Sequence, residues 1–292
     1  MDAVQFEPMS VGGILDKTFT LYRRNFLRFI TIVAIIQVPI SLLSLTWAVT
    51  LRQGVATTTR TPAAASTPSG VHTERLFEYR ASNADAGTWI LLTGGYVVML
   101  FTTIVGNALC QGTLTRSVSE AYLGNEITVG QTYQSVLPKL LTLIGASLLV
   151  GLVTGLGFLL LVVPGVIFAL WFFVTTPSIV VENHGVTAGM SRSKALISGN
   201  LGKAFAVGFL VTVIGMVITV PFHMAASFAS MILFRTSPML VMFVNQFAAL
   251  VGGVLASPIA AAAAILLYYD LRIRKEGFDL QMLAQTMASN RG

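Results

Sequence analysis

The chain has few charged residues, which make up 10% of its 292 residues, whereas about a quarter of an ordinary soluble domain is charged. Hydrophobic residues make up 54%, and the mean hydropathy is +0.78. Five runs contain no Asp, Glu, Lys or Arg: Phe29 to Leu51, Trp89 to Thr115, Leu140 to Val181, Ala204 to Phe234 and Thr236 to Tyr269. This pattern excludes a soluble globular fold and indicates helices that cross a membrane.

The chain also lacks the residue patterns of a catalytic centre. Its one cysteine, Cys110, lies in the second apolar run, so an intramolecular disulfide is impossible. The three histidines, His72, His184 and His223, share no metal-ligand spacing. Glycine-rich phosphate loops and G-x-S-x-G nucleophile elbows are absent. We therefore expect no enzyme activity, no metal site and no cofactor.

The apolar runs predict six crossings. The run 140–181 would be about 63 Å long as one helix, twice the thickness of the hydrocarbon layer, so it must cross twice. Pro164-Gly165 is the strong helix breaker near its middle, and we predict a tight extracytoplasmic turn there. The last two runs are separated by a turn-like stretch around Arg235 and predict another hairpin.

The predicted protein is an all-α integral membrane protein with a single membrane domain, 1–292. An interfacial helix, 10–26, precedes the first crossing, and an extracytoplasmic low-complexity loop, 52–87, follows it. Residues 271–292 form a cytoplasmic tail. The predicted transmembrane segments are 29–51, 89–115, 140–163, 165–181, 204–232 and 239–269.

Basic residues predict the orientation, because Lys and Arg accumulate on the cytoplasmic side. Of the 18 basic residues, those on the side of both termini are Lys17, Arg23, Arg24, Arg28, Arg116, Lys139, Arg192, Lys194, Lys203, Arg272, Arg274, Lys275 and Arg291. The other side has Arg52, Arg60, Arg75, Arg80 and Arg235. Both termini are therefore predicted to be cytoplasmic. The basic residues lie beside helix ends, so anionic lipid headgroups are the expected partner of the net charge of +6, and nucleic acid is not.

Three predicted cytoplasmic segments share a short pattern ahead of an odd-numbered crossing: Ser10-Val-Gly12, Thr128-Val-Gly130 and Thr187-Ala-Gly189. The hydroxyl residue is typical of a helix N-cap. In the segment 10–26, apolar side chains recur at helical spacing opposite Asp16 and Lys17, as in a helix that lies in the membrane interface. We predict three transmembrane hairpins, each preceded by a cytoplasmic interfacial amphipathic helix.

Polar and small residues within the apolar runs have two interpretations. Asn107 and Gln111 share a helix face, Asn245 and Gln246 are adjacent, and Gln37 precedes Pro39. They could line a substrate path, but no ionisable residue accompanies them, which favours hydrogen bonds between helices. Small-xxx-small spacing, in Gly151 and Gly155 and in Ala256, Ala260 and Ala264, indicates close helix packing within the bundle or in a homo-oligomer.

Three segments resemble a known bacterial family, the membrane domain associated with glycerophosphoryl diester phosphodiesterases. Pro177-Ser-Ile-Val-Val-Glu182, followed by Gly185, Ala188, Arg192-Ser193, Leu196 and Gly199-Asn200, resembles its core signature. The stretch from Leu266 to Leu280 resembles its closing motif, and Ser10 to Asp16 with Tyr22 to Phe26 resembles its opening one. The resemblance implies a multi-pass protein of the bacterial cytoplasmic (inner) membrane.

In that family the membrane domain sometimes precedes a soluble phosphodiesterase barrel. Residues 271–292 are too few for a barrel of about 250 residues, and the family's His-Arg pair and Glu-x-Asp cluster are missing. We therefore expect the membrane part alone, a non-catalytic scaffold or accessory protein that organises another membrane protein or its lipid environment. The alternative is a carrier or lipid-handling protein with a cavity among the helices.

Four charged residues of these motifs are predicted to form an interfacial charge cluster. Glu182 ends the fourth crossing, Arg192 lies on the following amphipathic helix, and Asp270 and Arg272 end the sixth. All four lie at a similar predicted depth, where partial desolvation strengthens ion pairs. We expect Glu182 and Arg192 to pair with each other or with Asp270 and Arg272. The alternative is that each charge is separately solvated or faces lipid.

The predicted topology can be tested by labelling. Single cysteines at Thr67 and Ser289, in a Cys110→Ala background, should react with a membrane-impermeant maleimide from opposite sides, because the basic residues place the two positions across the membrane. Labelling in intact cells and in inverted vesicles distinguishes the two sides. Reaction of both cysteines from one side would contradict six crossings.

Overall fold

A computed structural model describes residues 8–58, 86–233 and 237–277 of the protein. Most of the predicted loop 52–87, Arg235 and residues 278–292 of the predicted tail lie outside these ranges. Within them a 3₁₀ turn, Leu137–Lys139, joins the fourth and fifth of ten α-helices. The helices are α1 (Val11–Arg24), α2 (Phe26–Thr58), α3 (Ala86–Leu123), α4 (Val129–Val136), α5 (Leu140–Leu160), α6 (Val162–Trp171), α7 (Thr175–Glu182), α8 (Val186–Ile197), α9 (Leu201–Leu233) and α10 (Pro238–Glu276).

Six segments are long and apolar enough to cross a membrane, which confirms the prediction of a multi-pass helical protein. They are Phe26–Leu51, Trp89–Leu123, Val129–Leu160, Val162–Glu182, Leu201–Leu233 and Pro238–Glu276. Three helices continue well past their predicted ends, α2 to Thr58, α3 to Leu123 and α10 to Glu276. Charges within helices explain this difference, since Arg116 pairs with Glu120 inside α3 and an uncharged run therefore stops short of the helix end.

The turn between the third and fourth crossings is at Leu161, so the prediction of a turn at Pro164-Gly165 is wrong. Leu161 alone is extended, with φ −163° and ψ 156°, between the end of α5 and the start of α6. Pro164 lies in the first turn of α6, where the missing N–H of proline breaks no helical hydrogen bond. Gly165 is buried against the ring of Phe158 on α5, which allows the two helices to approach closely.

The fourth crossing is interrupted midway. Residues 172–174 form a turn between α6 and α7, and the carbonyl of Trp171 accepts a hydrogen bond from the Ser193 hydroxyl of α8 at 2.7 Å. This bond satisfies a backbone group that the end of α6 leaves without a helical partner. The prediction of a single fourth helix, 165–181, is therefore replaced by two shorter helices.

The short helices α1 and α8 lie ahead of candidate crossings and α4 forms the start of the third one, and only two of the three have the predicted caps. The hydroxyl of Ser10 accepts from the Gly13 N–H at 3.1 Å, and Thr128 forms a reciprocal capping box with Gln131. Thr187 is not an N-cap, because α8 begins at Val186 with Gly185 at the cap. That their apolar faces lie in the membrane interface stays a prediction, and α1 buries Ile14 and Thr18 within the protein.

The core is built around the C-terminal half of α10. Small residues Ala261, Ala262 and Ala263 and large residues Tyr268 and Tyr269 of this helix are almost completely buried. They pack in one cluster with side chains from α1, α2, α3, α8 and α9. This helix has a group of small side chains followed by a group of large ones, and five other helices pack around it.

The glycines of the hairpin of α5 and α6 give a test of its packing. A Cβ at Gly157 would lie 2.7 Å from the Phe168 ring and 3.0 Å from the Gly165 backbone, so Gly157→Ala should destabilise the protein by about 1–3 kcal/mol. At Gly155 no atom lies within 4 Å of the Cβ position, and Gly155→Ala should be neutral or stabilising. Thermal unfolding in detergent measures both, and equal midpoints would contradict this packing.

Candidate functional site

The last turns of α10 bring together most of the charged residues that the sequence motifs contain. Residues Tyr268, Arg272 and Glu276 are spaced by four and face α7 and α8, whereas Asp270 and Arg274 face the chain before α1 and the start of α9. This spacing follows from the helical repeat, in which residues four apart share one face. One helix end therefore supports two separate charged clusters.

Glu182, Arg192, Arg272 and Glu276 form a closed ring of alternating charges, called here the charge ring. Arg192 donates to both carboxylate oxygens of Glu182, from Nε at 2.8 Å and from Nη2 at 3.0 Å. Arg192 Nη1 also contacts Glu276, and Arg272 Nε lies 3.2 Å from Glu276 and 3.5 Å from Glu182. The ring is neutral, and each carboxylate contacts two arginines.

The local fold explains why Arg192 reaches Glu182. Asn183 has φ 58° and ends α7, and Gly185 then starts α8, so the two helices join through a three-residue turn. The side chains of Glu182 and Arg192 lie on the facing sides of this helical hairpin. The hydrogen bond to Glu276 is the main cause that raises the pKa of Arg192 above its ordinary value, and the bond to Glu182 adds to it.

Two further side chains complete the contacts of Glu182. The Tyr268 hydroxyl donates to Glu182 Oε1 and accepts from Arg272 Nη1 at 3.3 Å. His184 Nδ1 lies 3.3 Å from Glu182 Oε2 and 3.1 Å from the Ser178 hydroxyl. Glu182 is therefore the centre of a hydrogen-bonded network from three helices.

Asp270 does not belong to the charge ring and forms a second cluster with Met9, Lys203 and Arg274. Its side chain is fully buried and contacts Lys203 Nζ, while Arg274 Nε lies 3.1 Å away. The backbone N–H of Met9 donates to Asp270 Oδ1 at 2.7 Å, and the Met9 carbonyl accepts from Lys203 and Arg274. The Asp270 cluster thus ties the start of α1 and the start of α9 to α10.

Of the four predicted site residues, the structure brings together Glu182, Arg192 and Arg272 and places Asp270 apart. Sequence reasoning missed Tyr268 and Glu276 in the charge ring, and Met9, Lys203 and Arg274 around Asp270. The spacing of Tyr268, Arg272 and Glu276 was a usable signal, because it predicts one helix face. The Met9 backbone contact has no sequence signal, since it depends on tertiary packing.

The charge ring has little chemistry to offer a substrate. Its carboxylates are occupied by arginine, and an acid held in this way is a poor general base or metal ligand. Within residues 8–58, 86–233 and 237–277, no group of three or more His, Cys, Asp or Glu side chains could hold a metal ion. The arrangement is suited to holding α7, α8 and α10 in a fixed relation.

The amide side chains of the crossings do form hydrogen bonds between helices, as the sequence interpretation favoured. Gln37 donates to Asn107 at 3.3 Å, Gln246 donates to the Ser44 hydroxyl at 2.8 Å, and Asn245 donates to the Ser230 hydroxyl at 2.8 Å. The Gln111 side chain has no hydrogen-bond partner in the described part of the chain. Gly151 and Gly155 do not pack closely, since no atom lies within 4 Å of either Cβ position.

Two of the grooves among the described crossings contain amide or hydroxyl side chains in a mostly apolar lining. The amide groove, of about 490 Å³, lies between α2, α3 and α10 and is lined by Gln37, Ser41, Ser44, Thr103, Asn107, Gln111, Gln246, Ala249, Gly253 and Ser257 among others. The hydroxyl groove, of about 390 Å³, lies between α5 and the interruption of the fourth crossing. It contains the hydroxyls of Thr154 and Thr175, which are buried without a hydrogen-bond partner in the described residues.

Comparison with known proteins gives no match: no family model, no curated protein and no solved structure is similar to this chain. The resemblance to the phosphodiesterase-associated membrane domain therefore stays a prediction.

Removal of one cation should reveal the contribution of the charge ring to stability. Arg192→Met removes the closer of the two arginines that contact both Glu182 and Glu276 and leaves Arg272 alone with these partly buried carboxylates, and we expect a loss of roughly 1–3 kcal/mol. Arg24→Met, at an exposed position of α1, is the control and should cost less than about 0.5 kcal/mol. Unfolding in detergent by heat or denaturant provides the comparison, and similar losses in both variants would show that the ring contributes nothing specific.

Proposed function

We propose that the protein is a non-catalytic membrane scaffold or accessory protein that organises a membrane-bound partner and its lipid environment. The observation that carries this proposal is the engagement of Glu182, Glu276 and Asp270 by cations of the protein itself. Acids held in this way fix helices in place and are not free for acid-base work. The packed C-terminal half of α10 supports the same conclusion, because a filled centre is typical of a rigid support.

The cytoplasmic face would supply the binding surface. Arg23 and Arg24 are exposed on α1, and Phe19, Phe26 and Leu27 are exposed beside them. Basic residues next to exposed apolar side chains suit a surface that contacts anionic headgroups and an apolar partner helix together. In this proposal the protein resides in a bacterial cytoplasmic membrane with both termini in the cytoplasm, as the basic residues and the family resemblance indicate.

A second candidate function, lipid handling, is supported by the hydroxyl groove. The unpaired hydroxyls of Thr154 and Thr175 could donate to an ester or hydroxyl oxygen of a lipid, and they lie beside the turn 172–174 that interrupts the fourth crossing. Broken membrane helices are typical places for a substrate to bind. No charged residue lines the groove in the described part of the chain, which suits a ligand that is uncharged at the contact point.

Extraction of the tagged protein into polymer nanodiscs tests the scaffold proposal. The wild type should be recovered in a fixed ratio with another membrane protein, and Arg23→Glu with Arg24→Glu should abolish that recovery, because it reverses the charge of the proposed surface. Asp16→Asn on the same helix is the matched control. The purified protein should also leave glycerophosphodiesters intact with or without divalent metal ions.

Two outcomes would contradict the scaffold proposal. Metal-dependent hydrolysis that is lost in Glu182→Gln or His184→Ala would establish an enzyme. Recovery without any protein partner, but with one lipid species at equal molar amount that is lost in Thr154→Val, would favour the lipid-handling function.

A further inference from the structure

The amide groove exposes hydrogen-bonding groups at a depth where the bilayer offers none. Gln111 and Asn107 lie five and nine residues from Arg116 along α3, about 8 Å and 14 Å into the membrane from that charged level. Both side chains are exposed, and Asn107 accepts one bond from Gln37 while Gln111 has no partner in the described residues. Unpaired amides are unfavourable in hydrocarbon, so the groove requires an occupant that pairs with them.

The chemistry of the lining selects the occupant. Amides carry donors and acceptors together, so an amide can pair with a second copy of itself. Among the described residues, no charged side chain lines the groove to repel an identical surface. Copies in one membrane share one orientation, and a two-fold axis along the membrane normal therefore places each residue opposite residues of its own depth. Gln111 of one copy then meets amides of the other copy at the same level.

The shape of the groove fits a helix of a second copy. Ala249, Gly253 and Ser257 lie four apart on the α10 side, and no atom lies within 4 Å of a Cβ position at Gly253, which leaves room for close helix approach. None of residues 89–105 of the adjacent helix α3 is buried, so the half of this helix before Asn107 offers an exposed face to a second copy. The Ser257 hydroxyl, buried without a partner, adds a group that an incoming helix could satisfy.

We propose that the amide groove is the interface of a homodimer, in which α3 of each copy lies in the groove of the other and Gln111 and Asn107 hydrogen-bond across the two-fold axis. The interface is distinct from the cytoplasmic surface of α1. The dimer does not depend on the scaffold proposal, and either one can fail without the other.

Cross-linking in native membranes tests the geometry. In a Cys110→Ala background, Thr103→Cys in the groove should form an intermolecular disulfide on mild oxidation, because α3 of the second copy lies against it. Val217→Cys, exposed on α9 outside the groove, is the control and should remain monomeric. Equal cross-linking of both positions, or of neither, would overturn the proposal.

Dilution in lipid vesicles tests the amides. The fraction of dimer, measured by energy transfer between labelled copies, should respond to Gln111→Leu with a loss of about tenfold in the association constant, since two copies of the amide are removed. This substitution breaks no bond within the described protein, so its fold should be kept. His223→Leu, an exposed polar residue of α9, is the matched control and should change nothing.

Three results would overturn the dimer. One is a wild type that stays monomeric at high protein density, with a lipid retained in the groove. A second is association that Gln111→Leu leaves unchanged. The third is energy transfer that appears only when a different membrane protein is added, which would assign the groove to that protein.

Discussion

The packing around the C-terminal half of α10 depends on the need of buried carboxylates for cations. Asp270 is fully buried at the end of the central helix, and an unpaired charge there would cost several kcal/mol. Lys203, Arg274 and the Met9 N–H satisfy it, and each contact also fixes the position of a chain segment. The placement of α1 and α9 around α10 thus follows from one carboxylate, and that of α7 and α8 follows from the charge ring on the next face.

Deeper in the membrane the bundle relies on different interactions. Lipid tails are as apolar as leucine, so burial of apolar side chains gives little preference for helix contact there. Close approach of helices at glycine is the favourable contact there. Gly95 of α3 faces the ring of Trp47 on α2, and Gly106 faces Ile40. The hydrogen bond between the side-chain amides of Gln37 and Asn107 joins the same two helices, α2 and α3. Ion pairs therefore hold the helices together at one end of the bundle, and close packing at small residues together with amide hydrogen bonds holds them in the middle.

The number of crossings could be predicted from the sequence because hydrocarbon excludes charge, and that constraint acts locally along the chain. The ends of α3 and α10 could not be predicted in this way, because a helix continues past Arg116 or Arg272 when a partner pairs with that arginine. The turn at Leu161 was not predicted because proline is tolerated in the first turn of a helix. Pro164 therefore indicates that a helix boundary is near, but not at which residue the helix begins. Glu182, Arg192 and Arg272 could be grouped by depth, but the face on which Asp270 lies is set by the rotation of α10.

The contact between Met9 and Asp270 joins residues separated by 261 positions, and it has a consequence for biosynthesis. The helix that supplies the centre of the bundle is the sixth of the six crossings in the described part of the chain, so the five before it leave the ribosome before their common support exists. The carboxylate of Asp270 is not available to Met9 or Lys203 until α10 has been made. A chain that has been synthesised only as far as α9 therefore exposes the surfaces that α10 later covers.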